Sequence, residues 1–338
     1  MRADNRTTIW LAVSIAAFVV VFILALMVGR YPITFNDIGN LLSGNLAHSS
    51  NEYKVLTNLR LPRTIVAALV GIALSLSGLV YQETFQNKLV SPDFLGVSSG
   101  ASVGAATAIL MGMSPFIITV FAFFTGIITV SMTLLLAKIF QNRSPMILLL
   151  SGIIIGGLMS AILSLIKYLA DPESTLATIT FWLMGSCESS TMTDVGMLLP
   201  IVVICSAFLF VVRWRINLIA LGREEALTKG VNYDLYRRTI IIIATLMTAS
   251  SVSVVGCVGW IGLVIPHITR LIVGNNTAHT IPLAIVFGGV FMILVDLMSR
   301  AFTASEIPLS AITGLFGTVI IISILYFRRR SVFDDRSN

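Results

Sequence analysis

The stretch "LRLPRTIVAALVGIALSLSGLVYQETFQNKLVSPDFLGVSSGASVGA", residues 59 to 105, decides the fold. It opens on Arg60 and Arg63, then runs from Thr64 to Gln82 without a charge. At about 1.5 Å per helical residue that run is long enough to cross roughly 30 Å of hydrocarbon. The segment 97 to 112, "VSSGASVGAATAILMG", follows after a short polar break. It is rich in Gly, Ala and Ser, which makes a poor lipid-facing helix but a good one packed inside a bundle.

The rest of the chain agrees. Charged residues make up 11% of 338 and hydrophobic ones 56%, with a mean hydropathy of +0.94. A soluble domain carries about 25% charge, so this chain lacks the residues to cover a water-facing surface. The class is an all-α integral membrane protein forming a single domain over 1 to 338. The formal charge of +6 reads as cationic loops at one membrane face and gives no case for nucleic acid. Cys187, Cys205 and Cys257 are far apart, so neither a disulfide framework nor a thiolate metal site is indicated.

Ten apolar segments are expected to span, at 9 to 28, 64 to 82, 97 to 112, 115 to 137, 145 to 166, 194 to 212, 239 to 255, 260 to 273, 281 to 299 and 308 to 327. The first follows Arg2 and Arg6 like a secretory signal, but it is longer than a signal's apolar region and no small-residue cleavage site follows it, so it reads as an uncleaved span. The apolar region 239 to 273 is too long for one crossing and is expected to turn at Gly256 and Gly259. With both termini in the cytoplasm, sixteen Lys and Arg lie inside and six outside, the orientation favoured by the positive-inside rule. The six include Arg60, Arg63 and Arg300.

A lone arginine beside a span often extends to the headgroup layer. Arg60 and Arg63 are a less ordinary pair, three apart on one helix face, with Pro62 expected to open the helix. Arg300 falls at the same surface if the second and ninth spans meet, and a cationic cluster there would suit an acidic partner. The largest inside loop, "RWRINLIALGREEALTKGVNYDLYRR" (213 to 238), is expected to hold one or two short amphipathic helices broken at Gly222 and Gly230. It reads either as a helix lying on lipid or as a docking element. The absence of Trp or Phe from "LIALGREEALTKGV" and the presence of Glu224 and Glu225 favour docking.

Small residues form stripes: Gly152, Gly156, Ser160 and Ser164 in the fifth span, Gly71 and Ser75 in the second, Gly314 and Gly317 in the tenth. They serve close helix packing, a polar pathway wall, or both. No phosphate-binding G-x-x-x-x-G-K-[ST] loop or H-E-x-x-H is present. Glu83, Asp93 and Asp296 lie near span ends, so no midplane acid is available as a proton relay. That disfavours a secondary transporter, and the lack of clustered acids or metal ligands within the spans disfavours an intramembrane enzyme.

These residues resemble the iron-siderophore, heme and cobalamin ABC importer permeases. The matching positions are Arg60, Pro62 and Arg63, then Gln82, Asn87, Leu89, Pro92, Leu95, Gly96, Gly100 and Ala101. "ALGREEALTKGV", "GWIGLVIPHITRLIVG" (259 to 274, with Pro266 and His267) and "DLMSRAFTASEIPLSAITGLFG" (296 to 317) resemble three further motifs in the family's order. Lys88 departs from it, since proline is common after the Asn, and this leaves the local turn open.

The resemblance implies a BtuC-like, type II importer fold of about ten helices and a dimer of permeases. It places the pathway along the two-fold axis, lined mainly by the fifth and tenth spans, with Gly71, Ser75 and Gln82 nearby. A cytoplasmic ABC ATPase dimer, carrying the ATP and Mg, would bind through Leu221, Gly222, Arg223, Glu224, Glu225, Ala226 and Gly230. An extracytoplasmic substrate-binding protein would meet Arg60, Arg63 and Arg300. The chain would be a multi-pass bacterial cytoplasmic-membrane protein, holding no cofactor and performing no covalent chemistry. Ferric siderophore is the expected cargo, with heme, cobalamin or an oxyanion as alternatives.

Overall fold

A computed structural model describes residues 2 to 140, 145 to 301 and 305 to 334; Arg143 and residues 302 to 304 of the last motif lie outside the described residues. Each of the ten expected segments folds as a helix. They are α1 (Arg2–Met27), α4 (Leu61–Thr84), α5 (Val97–Leu110), α6 (Pro115–Ile139), α7 (Pro145–Leu169), α9 (Met192–Ala220), α11 (Tyr233–Val255), α12 (Ile261–Val273), α13 (Thr277–Ala301) and α14 (Leu309–Asp334). Four short helices join them: α2 (Phe35–Leu42), α3 (Asn51–Lys54), α8 (Thr175–Met184) and α10 (Arg223–Thr228). No strand occurs among the described residues.

Seven helices are long and apolar enough to cross a membrane, whereas α5 and α12 are shorter. The 14 residues of α5 cover about 21 Å, so the third and eighth of the expected spans do not reach across hydrocarbon by themselves. Interior packing explains why they persist: α5 lies against α6, α7 and α11, and α12 against α4, α13 and α14.

At the centre stands α4, buried almost throughout, with α9, α11, α12 and α13 packed around it. Close approach is what its small residues are for. A Cβ on Gly71 would run into the backbone of Gly288 in α13, and one on Gly78 into that of Gly262 in α12. Without those Cβ atoms the backbones meet directly, where dispersion and short polar contacts replace bulky side chains. Ser75 Oγ donates to Ala284 O at 2.9 Å, Ser77 Oγ to Ala244 O at 3.1 Å, and Tyr81 Oη pairs with Thr245 Oγ1 at 2.9 Å.

Pro62 does not open this helix. The chain is already helical from Asn51, through a π-helical turn over Val55–Arg60, and continues unbroken to Thr84. Within that wide turn the Leu61 N–H bonds to Leu56 O, five residues back. Proline lacks an N–H and its ring crowds the carbonyl four residues earlier, so widening the preceding turn lets the helix pass through it.

The chain direction of each helix defines two ends of the bundle. Arg60 immediately before α4, Arg63 within it and Arg300 on α13 mark one, where α1 also finishes and α14 begins. The other holds the exit of α4, the finish of α9, and α10. Both α1 and α14 therefore have their terminal sides toward the α10 end. Gly78→Val is expected to force α4 and α12 apart and lower stability by about 3 kcal/mol or more; thermal unfolding in detergent reads this, and a midpoint unchanged from the parent contradicts the packing argument.

Candidate functional site

The second and ninth spans do meet, and they bring the three arginines together at one end. Each guanidinium, however, is held from within. Arg60 is 5% exposed; its Nη1 donates to Leu26 O at 2.6 Å and Met27 O at 2.7 Å, and its Nη2 to Tyr31 O. Carbonyls at a helix C-terminus have no intrahelical donor and sit at the negative end of the dipole, so Arg60 caps α1. Gly29 makes room for it, since a Cβ there would lie 2.7 Å from Arg60 Nη2.

Arg63 and Arg300 share Asp296. Arg63 Nε donates to Asp296 Oδ1 at 2.8 Å, while its Nη1 and Nη2 grip Glu306 Oε1 and Oε2 at 2.6 and 2.8 Å. Arg300 sits one turn beyond Asp296 on α13; its Nε lies 3.5 Å from Asp296 Oδ2, long for a hydrogen bond, and its Nη2 donates to Ala25 O at 2.7 Å. Asp296 is fully buried and the Glu306 side chain is 17% exposed. The expected open cationic pocket is thus an interior network of alternating charge that joins α1, α4 and α13. Buried ions persist only when paired and hydrogen-bonded, which is why the two carboxylates accompany the arginines. Nothing in the spacing of Asp296 and Glu306 announces this pairing except that Asp296 and Arg300 stand four apart.

The opposite end of α4 carries a second network. Arg270 of α12 donates through Nη1 to Gln82 Oε1 at 2.6 Å and through Nη2 to Glu83 Oε1 at 3.0 Å. Lys88 Nζ reaches both Glu83 oxygens at 2.7 and 2.8 Å. Lys88 thereby has a definite place in the turn after α4: partial burial holds its ammonium pKa below the usual lysine range, against the opposing pull of the Glu83 carboxylate.

Gln82 is completely buried and answers a defect made by Pro266. Proline inside α12 leaves the carbonyl four residues back without its donor, and that carbonyl belongs to Gly262. Gln82 Nε2 donates to Gly262 O at 3.3 Å and to Val90 O at 3.2 Å. His267 is held within α12, its Nδ1–H donating to Leu263 O at 2.8 Å.

The signature residues after α4 build the turn itself. Asn87 Oδ1 accepts from Leu89 N at 3.0 Å. A 3-10 turn over Pro92–Leu95 leads to Gly96, whose φ of +81° sets the entry into α5. Leu95 O accepts from Thr133 Oγ1, and the Pro92 ring lies against Gly262. Gly100 faces Thr129 of α6 so closely that a Cβ would overlap its side chain.

Of the residues assigned to packing or pathway, Gly71, Ser75 and Gln82 are interior. Gly152 abuts the Phe94 carbonyl, and Gly156 has Ser99 Oγ 3.9 Å from where its Cβ would be. Ser160 and Ser164 of α7 are exposed. Gly317 receives the Trp260 side chain, whose Cβ is 2.7 Å from the position of an added methyl, and a methyl on Gly314 would lie 3.7 Å from the indole nitrogen. Trp260 itself holds a φ of +70°, which sequence reading does not reveal. The helix α8 is also absent from that reading; its exit residue Gly185 bonds to Leu309 N through its carbonyl, and Ser186 N bonds to Val255 O.

The 213 to 238 loop divides otherwise than expected. Residues up to Ala220 continue α9, and only Arg223–Thr228 forms a separate helix, α10. Gly222 at φ +107° makes the joint, a conformation that disfavours side chains, and Gly230 at φ +74° ends the excursion. Ala226 is buried and anchors α10, while Leu221 and Leu227 are each 53% exposed and Glu224 and Glu225 point outward. Arg223 Nη2 ties α10 back to Asp234 Oδ2 at 3.2 Å.

A bundle of apolar helices around a glycine-packed pillar, closed by a buried ion network at one end and carrying a short exposed helix at the other, defines a membrane translocation subunit. The chain belongs to the FecCD transport family, whose model matches residues 17 to 327. It is 34% identical to the molybdate import system permease protein MolB of Haemophilus influenzae over 333 residues, 98% of each chain. It is 37% identical over 280 residues to an iron chelatin transport system permease of Helicobacter pylori, covering 82% of this chain and 84% of that one. A solved inward-facing metal-chelate type ABC transporter superposes with a TM-score of 0.85 at 33% identity, covering 94% of this chain and 98% of that one. The protein is an ABC importer permease, a transport subunit whose ATPase activity resides in a separate chain.

Arg63→Ala would leave Asp296 buried beside only the loosely placed Arg300. A loss of about 3 to 5 kcal/mol is expected, with Arg63→Ala/Asp296→Ala costing less than the sum of the single changes. Thermal unfolding of the four proteins measures the coupling; additive losses would remove the ion pair from the account.

Proposed function

We propose that this chain forms the membrane path of an importer for a metal chelate, with a ferric chelate as cargo. The observation that carries the reading is α10 and the joint before it: a six-residue helix isolated between positive-φ glycines, exposing Leu227 and two glutamates, with Leu221 exposed just ahead of Gly222, at the end away from the arginines. Such a surface, mixing exposed leucines with two carboxylates and holding no Trp or Phe, suits a soluble protein better than lipid. In this reading a cytoplasmic ABC ATPase docks on α10 and binds the ATP and Mg. Closure of its dimer pushes the permease helices of two such chains against one another. The sixteen-to-six distribution of Lys and Arg supports placing the α10 end and both termini in the cytoplasm.

A substrate-binding protein delivers cargo at the arginine end. Arg60, Arg63 and Arg300 serve that face from beneath, by fixing α1, α4 and α13, because their guanidinium groups already have internal acceptors. The least buried charge of the network is the Glu306 carboxylate.

The full-length identity to MolB favours a second cargo, molybdate. Uptake into liposomes holding this permease with its ATPase and binding protein separates the two: a labelled ferric chelate is expected to accumulate with ATP, and accumulation of molybdate alone would replace the iron reading. Leu227→Asp, at an exposed position, is expected to weaken ATPase association by about 2 kcal/mol, roughly thirtyfold in Kd, as read by binding of purified subunits. Unaltered affinity would move the docking site away from α10.

A further inference from the structure

A push on α10 does work only if the helices around it move with it. The joint at Leu221 and Gly222 is narrow, and the φ of +107° at Gly222 places α10 outside the helical line of α9. What α9 grips in its last turns therefore decides where a displacement goes. Three of its residues, Arg213, Asn217 and Ala220, are one or two helical turns apart, and each contacts another span.

Asn217 makes two of these contacts. Its Nδ2 donates to Asn276 Oδ1 at 2.6 Å, and its Oδ1 accepts from Thr277 N at 2.7 Å. Asn276 Oδ1 also accepts from Ala278 N at 2.9 Å, and Thr277 Oγ1 donates to Arg213 O at 2.6 Å. Thr277 is the first residue of α13, so the first N–H groups of that helix, which have no acceptor within it, are capped jointly by the preceding turn and by a side chain of α9. Thr277 is fully buried. A third contact joins α9 to the turn after α4: Gln86, at φ +52°, donates through Nε2 to Ala220 O at 3.2 Å, immediately before the joint.

We propose that Asn217 is a positioning residue that couples α10 to α13. Together with Gln86 it makes the finish of α9, the start of α13 and the exit of α4 one mechanical unit. The inference rests on the importer reading above and assigns that reading's power stroke a route through the chain. The route passes along α13 to Asp296 and Arg300, so the ATPase end is connected to the far ion network by one continuous helix. A purely structural cap would fix stability; a coupling clamp fixes how much cargo moves for each ATP hydrolysed.

The test uses the whole transporter in liposomes, measuring ferric chelate uptake and ATP hydrolysis together. Asn217→Ala is expected to lower uptake per ATP by about tenfold, a typical coupling loss, while hydrolysis stays near that of the parent and the unfolding midpoint falls by no more than the loss of one helix cap explains. Gln86→Ala, at an exposed position, is expected to act in the same direction with a smaller effect. Asn217→Cys/Asn276→Cys supplies the rescue: cross-linked, it is expected to regain uptake per ATP, and reduced, to lose it. Uptake per ATP unchanged in Asn217→Ala, uptake and hydrolysis falling in step with stability, or a cross-linked pair that stays uncoupled would each overturn the clamp alone. A parent chain that neither binds the ATPase nor takes up chelate overturns the importer reading and the clamp with it.

Discussion

The ion pair between Arg63 and Asp296 constrains more of this molecule than any other contact. Both groups are buried, in a protein whose surroundings are hydrocarbon, and an unpaired charge there is far more costly than in a soluble core. Their need for each other fixes the register of α4 against α13. That register in turn places Gly71 opposite Gly288 and Ser75 opposite Ala284 O. Dispersion between close backbones is non-directional along the helix axis. A buried ion pair is not, so the charges select one of several registers that the small residues alone would allow.

The second network completes the constraint on α4. Glu83 and Gln82 meet Arg270 at its other end, so the pillar is pinned to α13 at one end and to α12 at the other. Pro266 is the reason Gln82 is needed rather than an apolar residue. A helix packed inside a membrane bundle tolerates proline where a neighbour supplies the lost hydrogen bond, and Gln82 does so for Gly262 O while its own carbonyl oxygen accepts from Arg270. One polar side chain thus closes two deficits, and the pair Gln82 and Pro266 makes sense only together.

Much of this architecture was legible from residues 59 to 105 and their hydropathy. The ten helical segments, the turn at Gly256 and the breaks at Gly222 and Gly230 follow from apolar run length and from glycine's access to positive φ. What escaped has a common cause. The burial of Arg60, Arg63 and Arg300 depends on carbonyls of α1 and on Asp296 and Glu306, partners more than 200 residues from α4 in the case of the carboxylates. A charge at a span end looks the same in sequence whether it faces water or an interior acceptor. Likewise Pro62 carries the usual signal of a helix start, and only the π turn ahead of it lets the helix run through. The Asn217 and Asn276 pair has no sequence signal at all, because short polar residues near span ends are common.

The ties of α9 are of a different kind from the ion networks at the two ends of α4, and the difference suits a translocator. At the arginine end the ties are charge pairs and charge-assisted bonds to carbonyls, nearly all buried, whose rupture exposes ions to a low-dielectric interior. Among the described residues at the α10 end, the ties from α9 to α4 and α13 are neutral hydrogen bonds, several at partly exposed positions. Bonds of that kind exchange with water at little net cost, so the joint between α9 and α10 can be reset. On the importer reading proposed above, exchangeable ties at α9 and a buried ion network at the far end of α13 would give a lever its fulcrum: displacement applied at α10 would be carried by α9 and α13 rather than lost by loosening the far network.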